Sequence, residues 1–371
     1  MERLRLKPSH DPARVSNGKI RLGGYQVGIA YELDDPGGVV WQLLGLLDGS
    51  RSRDEVVADL QRERPGLDAG TAHELIDVLV VNGSVEDAAA EPPPIFSSAE
   101  LDRYSRNIAY FSWADRHPRR SPYHHQLRLK ESSVTVLGLG GTGASVALSL
   151  VGMGVGRVQV ADFDTVELSN LNRQLLYTEH DLGRPKVAAA VDRLRALNSS
   201  VEVSGIEARI GCREDVASLM RDCDLFLMCA DSPPEIRLWA NDAALQTRTP
   251  WLLSCYAGPT AVVGLFVPFE TPCLQCDLRH SDAADVLRDQ LWPGNQLAVP
   301  PAIAPVAALS GHLAALIAAY FLTDMDISCL GGLLHYNMID FEHVYLNRHG
   351  FSPDCPSCGP AARRVADGRG P

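Results

Sequence analysis

The sequence is short of positive charge. Its 34 lysines and arginines stand against 46 aspartates and glutamates, which gives a formal net charge of −12 over 371 residues. Nucleic acids and anionic membranes attract proteins with an excess of positive charge, so we expect neither as the main partner. The first residues, MERLRLKPSHDP, contain no apolar segment of the kind a secretory signal needs. We therefore expect a cytoplasmic protein.

Long apolar runs are also scarce, with one exception at about residues 302–322. By length alone this run could cross a membrane. However, Pro305, Ser310, Gly311 and His312 interrupt it, and no cluster of basic residues flanks it. We therefore predict a buried helix and a soluble protein.

The nine cysteines are not spaced as a disulfide framework. Four of them form two Cys-x-x-Cys pairs, which are Cys273 with Cys276 and Cys355 with Cys358. Four thiolates are the number that a tetrahedral structural zinc site takes. The pairs therefore predict a Zn²⁺ ion that ties the C-terminal tail back to the domain. Two unrelated pairs are the alternative.

A glycine-rich turn follows a β-prone run at residues 134–137. Three of its glycines have the spacing G-x-G-x-x-G, and the full set is Gly138, Gly140, Gly141 and Gly143. An apolar helical pattern comes next, and a second β-prone run ends at Asp162. Glycines let the backbone approach a phosphate, the helix start offers free N–H groups, and an acidic residue can hold a ribose hydroxyl. The stretch predicts a nucleotide-binding unit of an α/β Rossmann-like domain, and a glycine turn without a ligand is the alternative.

Polar and basic residues after the second strand favour a triphosphate over NAD. The sequence continues DFDTVELSNLNRQ, and Gly-Arg-Pro-Lys follows at residues 183–186. A dinucleotide site needs no such cluster, whereas arginine and lysine match phosphate oxygens. The candidate nucleotide ligands are Asp162, Asp164, Asn170, Arg173, Gln174 and Lys186. As alternatives, Asn170 could form a turn and Gln174 could be a surface residue.

These motifs resemble the ThiF/MoeB superfamily, the adenylating fold shared with ubiquitin-activating enzymes. The resemblance covers about residues 100–360 and implies ATP and Mg²⁺ as cofactors, with Asp162 on the ribose and Lys186 on the β- or γ-phosphate. It also implies that Asp231, after a buried strand, lies by the Mg²⁺ and the attacking carboxylate. The family pattern reads Asp-Asn at this point, whereas this chain has Ser232 in place of the Asn. A helix N-cap is the alternative role for Asp231.

The resemblance extends to an arginine in the run RYSRN at residues 103–107. In the superfamily a matching arginine reaches into the partner subunit's nucleotide site, which implies a homodimer in which Arg106 stabilises the departing pyrophosphate. A solvent-exposed helix arginine is the alternative.

Ubiquitin activators form a thioester on a cysteine in the region of residues 277–328, and this chain has none there. We therefore expect no covalent thioester step.

Residues 1–90 are predicted to form a separate winged-helix-like α+β module. Its β-prone start, three helices and short strand lie at about residues 19–33, 39–47, 53–62, 69–81 and 84–86. The pattern VWQLL with LDG at residues 40–49 resembles the PqqD-like domain, which binds a precursor peptide by adding it as a strand to its sheet edge. The alternative is a dimerisation or packing domain. A proline-rich linker at 91–97 and an adenylation domain at 98–371 complete the prediction.

Together, the motifs predict an enzyme that adenylates the carboxylate of a ribosomally made precursor peptide. The combination is similar to adenylating enzymes that mature ribosomally made peptide natural products. The reaction would form acyl-AMP and release pyrophosphate, through positioning and electrostatic stabilisation. Two alternatives stay open, namely activation of a ubiquitin-like sulfur carrier and a non-catalytic scaffold that binds leader peptides.

Overall fold

The computed structural model describes residues 1–119, 121–280 and 301–359. The chain divides into two compact units, Met1–Arg128 and Leu129–Pro371. Residues 98–128, which the sequence assigns to the adenylation domain, belong to the first compact unit. The division into a recognition domain and an adenylation domain joined at 91–97 stays a prediction.

The first unit contains two small sheets and a set of helices. One sheet is an antiparallel meander in the order β2-β3-β4, and in the other β1 pairs with β5. The strands are β1 (Leu4–Leu6), β2 (Ala13–Val15), β3 (Lys19–Leu22), β4 (Tyr31–Asp34) and β5 (Val85–Asp87). The helices are α1 (Val39–Leu46), α2 (Arg53–Glu63), α3 (Ala69–Val81), α4 (Ser98–Arg103), α5 (Ser105–Ala114) and α6 (His124–Glu131), the last of which spans the division. The three helices and the short strand predicted between residues 39 and 86 are confirmed.

Side-chain caps explain where two of these helices begin. Ser52 accepts a hydrogen bond from the Glu55 N–H and the Glu55 carboxylate accepts one from the Ser52 N–H, so that α2 opens on a capping box. Asp68 accepts hydrogen bonds from the N–H groups at the start of α3. The apolar faces of α1, α2 and α3 meet β3 in one core, which includes Ile20, Leu22, Leu43, Leu60, Ile76 and Leu79.

The second unit is built on one eight-stranded sheet in the order β13-β12-β11-β10-β9-β6-β7-β8. Its strands are β6 (Ser133–Leu137), β7 (Arg157–Asp162), β8 (Glu202–Glu207), β9 (Leu225–Met228), β10 (Trp251–Ala257), β11 (Thr260–Phe266), β12 (Gly332–Asn337) and β13 (Val344–Arg348). Its remaining helices are α7 (Gly141–Met153), α8 (Lys186–Leu197), α9 (Arg213–Met220), α10 (Ile236–Thr247), α11 (Leu274–His280) and α12 (Ala304–Leu322). Strands β8, β7, β6, β9 and β10 are parallel, and β10 to β13 form an antiparallel end. The predicted Rossmann-like α/β fold is confirmed.

One helix in the described part of the chain, α12, is long and apolar enough to cross a membrane by length and composition. It packs instead against α7, β10 and β11. The Ser310 hydroxyl lies 2.9 Å from the Thr142 hydroxyl of α7, and the Ser254 hydroxyl of β10 donates to the Ser310 carbonyl at 3.1 Å. A side chain at Gly311 would collide with the Thr142 carbonyl, so glycine permits this close helix contact. α12 is therefore the buried core helix that the sequence predicts.

The sheet order places a crevice at the carboxyl ends of its central strands. β7 and β8 lie on one side of β6, and β9 and β10 lie on the other, so the order in which the strands are added reverses at β6. In doubly wound sheets such a switch point is where ligands bind. The glycine turn follows β6, Asp162 is the last residue of β7, and Asp231 follows β9, so the fold brings these three predicted elements to one edge of the sheet.

Candidate active site

Two glycines of the turn after β6 occupy positions that no other residue fits. Gly138 has φ +91°, and a Cβ there would lie 2.7 Å from the Ala230 nitrogen. A Cβ at Gly143 would collide with the Gly138 carbonyl. The turn can therefore fold tightly between β6 and α7 only because both side chains are absent.

The other two glycines bring the start of α7 against the chain that carries Gln174. Gly140 is the N-cap residue of α7, and a Cβ there would lie 3.9 Å from Gln174 Nε2. At Gly141 a Cβ would lie 3.0 Å from the Arg173 carbonyl. Gln174 is only 3% exposed, so the alternative of a surface residue is wrong.

The buried Gln174 amide also tests whether the site fits a nucleotide. Its Oε1 atom has no hydrogen-bond partner among the described residues. Leaving a buried acceptor without a donor is unfavourable by about 1–3 kcal/mol. A ligand that brings an amino or hydroxyl donor to the start of α7 would satisfy this atom, and adenosine carries both kinds of donor.

Asp162, at the end of β7, is tied to the glycine turn. Its Oδ2 accepts a hydrogen bond from the Leu139 N–H at 2.6 Å, and its Oδ1 accepts one from the Asp164 N–H at 2.9 Å. Each carboxylate oxygen has a second lone pair, so the group can still accept a ribose hydroxyl. The Tyr177 hydroxyl donates to the Leu139 carbonyl at 3.0 Å and braces the same turn.

Lys186 is a buried cation beside this carboxylate pair. The ammonium lies 3.0 Å from Asp164 Oδ2, and the Lys186 N–H donates to the Asp164 carbonyl at 2.9 Å. Lys186 is 5% exposed, whereas the Asp164 side chain is 47% exposed. α8 begins at Lys186 with Pro185 as its N-cap residue, which fixes where the lysine leaves the backbone. The Lys186 ammonium therefore places one positive charge beside the glycine turn, next to the solvent-exposed Asp164 carboxylate.

The hydrogen bonds of Asn170, and two of those of Arg173, lie within one local turn. Asn170 Oδ1 accepts a hydrogen bond from the Glu167 N–H at 3.1 Å. This contact agrees with the alternative in which Asn170 forms a turn. Arg173 Nη1 donates to the Ser169 carbonyl at 3.1 Å and to Asn172 Oδ1 at 3.0 Å. The phosphate-binding roles of both residues stay predictions.

Tyr256, at the carboxyl end of β10, is a site residue that the motifs do not reveal. Burial raises the pKa of its hydroxyl, the Arg173 guanidinium opposes that shift, and the Asp231 carboxylate adds to it. Arg173 and Asp231 therefore both lie near Tyr256. The position of Tyr256 at the carboxyl end of the strand next to β9 is the signal that could have identified it.

Asp231 and Arg106 are both exposed. α10 begins at Ile236 with Glu235 as its N-cap residue, so Asp231 is not a helix cap and that alternative is wrong. Arg106 is the second residue of α5, in the first unit. The stretch without cysteine at 277–328 is a property of the sequence, and its part at 281–300 lies outside the described residues.

The two Cys-x-x-Cys pairs meet in one buried cluster. The four sulfur atoms lie within 4.8 Å of one another, with Cys273 Sγ 3.6 Å from Cys355 Sγ and Cys276 Sγ 3.3 Å from Cys358 Sγ. Tetrahedral Zn–S bonds of about 2.3 Å place sulfur atoms about 3.8 Å apart, so the cluster fits the metal. The Ser352 N–H donates to Cys276 Sγ at 3.4 Å, which is the kind of outer contact that orients a thiolate ligand.

Comparison with known proteins identifies the family to which the residues of this site belong. A model described as the ThiF family matches residues 104–358. The sulfur carrier protein ThiS adenylyltransferase of Bacillus subtilis is 42% identical over 153 residues, or 41% of this chain and 45% of that protein. The sulfur carrier protein adenylyltransferase of Thermus thermophilus is 34% identical over 289 residues, or 73% of this chain and 96% of that protein.

Solved structures agree on the fold. The microcin C7 biosynthetic enzyme MccB of E. coli, in complex with N-formylated MccA, has a TM-score of 0.76 at 23% identity and covers 96% of this chain and 99% of that chain. The family model does not reach residues 1–103, so the PqqD-like assignment stays a prediction. The match over residues 104–358 includes the glycine turn, Asp162, Lys186 and the four cysteines, and the chain therefore belongs to the ThiF family and is an adenylyltransferase.

Proposed function

We propose that this adenylyltransferase activates the carboxylate of a ribosomally made precursor peptide. ATP would supply the adenylyl group, and the products of the step would be acyl-AMP and pyrophosphate. The observation that carries the proposal is an unpaired strand edge in the first unit, because an extended peptide can add to such an edge as a further strand. The similarity in fold to MccB, solved with N-formylated MccA, supports the same class of substrate.

The unpaired edge belongs to β4, the last strand of the meander. Asp35 N–H donates to the Gly18 carbonyl at 2.8 Å and continues the pairing of β4 with β3. Since hydrogen-bonded pairs alternate along an antiparallel ladder, the backbone groups of Glu32 and Asp34 point away from β3. No strand in the described part of the chain pairs with this side of β4. Two residues therefore offer N–H and C=O groups to an incoming peptide.

The opposite edge of the meander provides a matched control. Arg14 of β2 lies opposite Ile20, whose backbone groups are committed to β4, so the Arg14 N–H points outward. Proline removes an N–H and is tolerated on an edge strand where that N–H makes no ladder bond. Asp34→Pro and Arg14→Pro thus each remove one outward-pointing N–H, together with the ion pair of Asp34 with Lys19 in one case and the contact of Arg14 with the Trp41 ring in the other.

We expect Asp34→Pro to weaken peptide binding about 10-fold or more, because strand addition depends on main-chain hydrogen bonds. The probe is a synthetic peptide enriched from a displayed random library on the immobilised full chain. Its Kd is measured by fluorescence anisotropy against wild type and both proline variants. Arg14→Pro should stay within about 2-fold of wild type. Equal Kd values for the two variants would remove β4 as the recognition edge.

The reaction itself is tested by ATP–pyrophosphate exchange. A version of this peptide that contains no Asp or Glu, and so has no side-chain carboxylate, is prepared both as the C-terminal acid and as the C-terminal amide. Since only a free carboxylate can attack the α-phosphorus, we expect exchange with the acid and none above background with the amide. Equal rates with both forms would contradict adenylation of the peptide carboxylate.

Residue roles in the proposed reaction follow from charge and position. Lys186, Arg173 and Arg106 would neutralise the triphosphate and the departing pyrophosphate. Asp231 and Asp164 offer the carboxylate oxygens that Mg²⁺ prefers, and the metal would supply further charge neutralisation at the phosphates. Ser232, in place of the asparagine of the family pattern, has a hydroxyl that can donate or accept beside Asp231.

We propose a homodimer as the active form. α12 exposes two apolar side chains seven residues apart on one face, Leu309 and Leu316, which are 39% and 38% exposed. The exposed residues Pro305 and His312 lie on the same face, and an open face of this kind on a helix whose other side packs in the core is suited to pairing with a second copy. The mass measured by light scattering should correspond to two chains.

Activation of a ubiquitin-like sulfur carrier is the second candidate. The names of the Bacillus subtilis and Thermus thermophilus relatives favour it. Exchange that requires a folded carrier protein ending in Gly-Gly, and that no short peptide supports, would select this function instead. A non-catalytic scaffold is the third, and the buried pairing of Lys186 with Asp164 at the turn argues against it.

A further inference from the structure

Three side chains form a continuous series of hydrogen bonds between β4 and the end of α5, all within the first unit. The Tyr31 hydroxyl of β4 lies 2.7 Å from Ser84 Oγ, which lies 2.9 Å from His10 Nδ1. His10 Nε2 lies 3.1 Å from the carbonyl oxygen of Trp113, the ninth residue of α5. His10 and Ser84 are both 0% exposed, so water does not substitute for these contacts. We call Tyr31, Ser84 and His10 the relay.

The chemistry of the groups gives the relay a single direction. A carbonyl oxygen can only accept, so His10 Nε2 carries the proton and donates to Trp113. Burial lowers the pKa of His10, which favours the neutral ring and leaves Nδ1 as an acceptor for the Ser84 hydroxyl. Ser84 has one proton, and Tyr31 must therefore donate to Ser84.

Backbone contacts run parallel to the relay. Gly83 has φ +66°, and a Cβ there would collide with the carbonyl of Arg116, so the turn after α3 touches the chain just after α5. Lys7 Nζ donates to the Asp115 carbonyl at 3.0 Å. The buried Asp115 carboxylate accepts from His125 Nε2 at 2.9 Å. Breaking a buried hydrogen bond without replacing it is unfavourable. A shift of β4 should therefore move the end of α5 with it, because the alternative is to break the hydrogen bonds between them.

We propose that the relay couples occupancy of the β4 edge to the position of α5, whose second residue is Arg106. This inference rests on the proposed recognition of a peptide by β4. Tyr31, Ser84 and His10 are positioning residues in this scheme, since none of them touches nucleotide or peptide carboxylate. Peptide pairing beside Tyr31 fixes the relay in one arrangement, and the fixed relay orders the helix that carries the arginine.

Hydrogen exchange of residues 105–114 measures this coupling without relying on catalysis. The probe is the library-derived peptide, added to the full chain and to the variants Tyr31→Phe, Ser84→Ala and Tyr25→Phe. We expect peptide to slow exchange in α5 about 5-fold or more in wild type, the lower range of measured couplings. Tyr31→Phe and Ser84→Ala should bind the peptide within about 2-fold of wild type and lose that slowing. Tyr25, 80% exposed on the same hairpin, is the control whose loss should change nothing.

Kinetics provide the second readout. We expect Tyr31→Phe to lower kcat for peptide-dependent exchange and to leave the KM for peptide unchanged, because binding at β4 is intact and only its transmission is lost. Slowing of α5 that persists in both relay variants, or that is absent from wild type with peptide bound, would overturn the coupling while leaving peptide recognition intact. If no library peptide binds in a way that depends on Asp34, the recognition role fails and the coupling fails with it.

Discussion

Lys186→Ala is expected to lower the rate of ATP–pyrophosphate exchange by about 10³-fold, in the range found when a charge that stabilises a transferring phosphoryl group is removed. Lys186 is a buried cation at the glycine turn, and its carboxylate partner is half-exposed. Removal of the lysine leaves an Asp164 carboxylate that water can reach, so folding should be little affected. Exchange kinetics, calorimetric ATP binding and Tm together measure the outcome.

Arg193→Ala is the matched control for this change. Arg193 lies on the same helix, is half-exposed and pairs with Asp181 at 3.9 Å. The arginine end of this pair is open to solvent, and the buried Asp181 keeps a closer partner in Arg184 at 2.8 Å, so we expect wild-type exchange and Tm. Wild-type exchange in Lys186→Ala would place the triphosphate elsewhere.

A mixture of Lys186→Ala and Arg106→Ala chains tests the proposed arm. If Arg106 acts in the partner's site, exchanged dimers contain one site with both cations, and about a quarter of wild-type activity should return. No recovery after subunit exchange would place Arg106 outside the partner's site.

Loss of one cysteine of the buried cluster is expected to lower Tm by about 10 °C or more. Structural zinc sites contribute apparent free energies of about 10–16 kcal/mol in small domains, as much as the whole folding free energy of many proteins. For a unit of this size each kcal/mol corresponds to about 2–4 °C in Tm. Cys276→Ser and Cys358→Ser should lose the metal, which elemental analysis should find at about one zinc per wild-type chain.

Cys212→Ser is the control for the cysteine variants, because Cys212 is exposed and stands outside the cluster. It should keep both zinc content and Tm. A wild-type chain without zinc, together with an unchanged Tm in Cys276→Ser, would show that the cysteines pack without a metal.

Local spacing made much of this site predictable. The glycine turn, Asp162 and the Cys-x-x-Cys pairs are recognisable because each depends on neighbours within a few residues, such as the collision of a Gly143 side chain with Gly138. Helix bounds in the first unit also follow from capping residues and apolar periodicity, as α2 and α3 illustrate.

Contacts distant in sequence were not predictable in the same way. Burial of Gln174 depends on α7 lying beside it, and the position of Tyr256 depends on the sheet order. The membership of residues 98–128 in the first unit depends on tertiary contacts, such as those of Lys7 and His10 with residues 113–115. Neither hydrophobic periodicity nor motif spacing indicates which residues come into contact when they are this far apart in the sequence.

The cysteine cluster also sets an order for biosynthesis. Its two pairs stand 82 residues apart in the chain, with α12, β12 and β13 between them. During translation Cys273 and Cys276 emerge first and can hold only half of a metal's coordination sphere. All four thiolates are therefore available to one ion only after Cys358 has left the exit tunnel, so a metal bound there would be captured after β12 and β13 have been made.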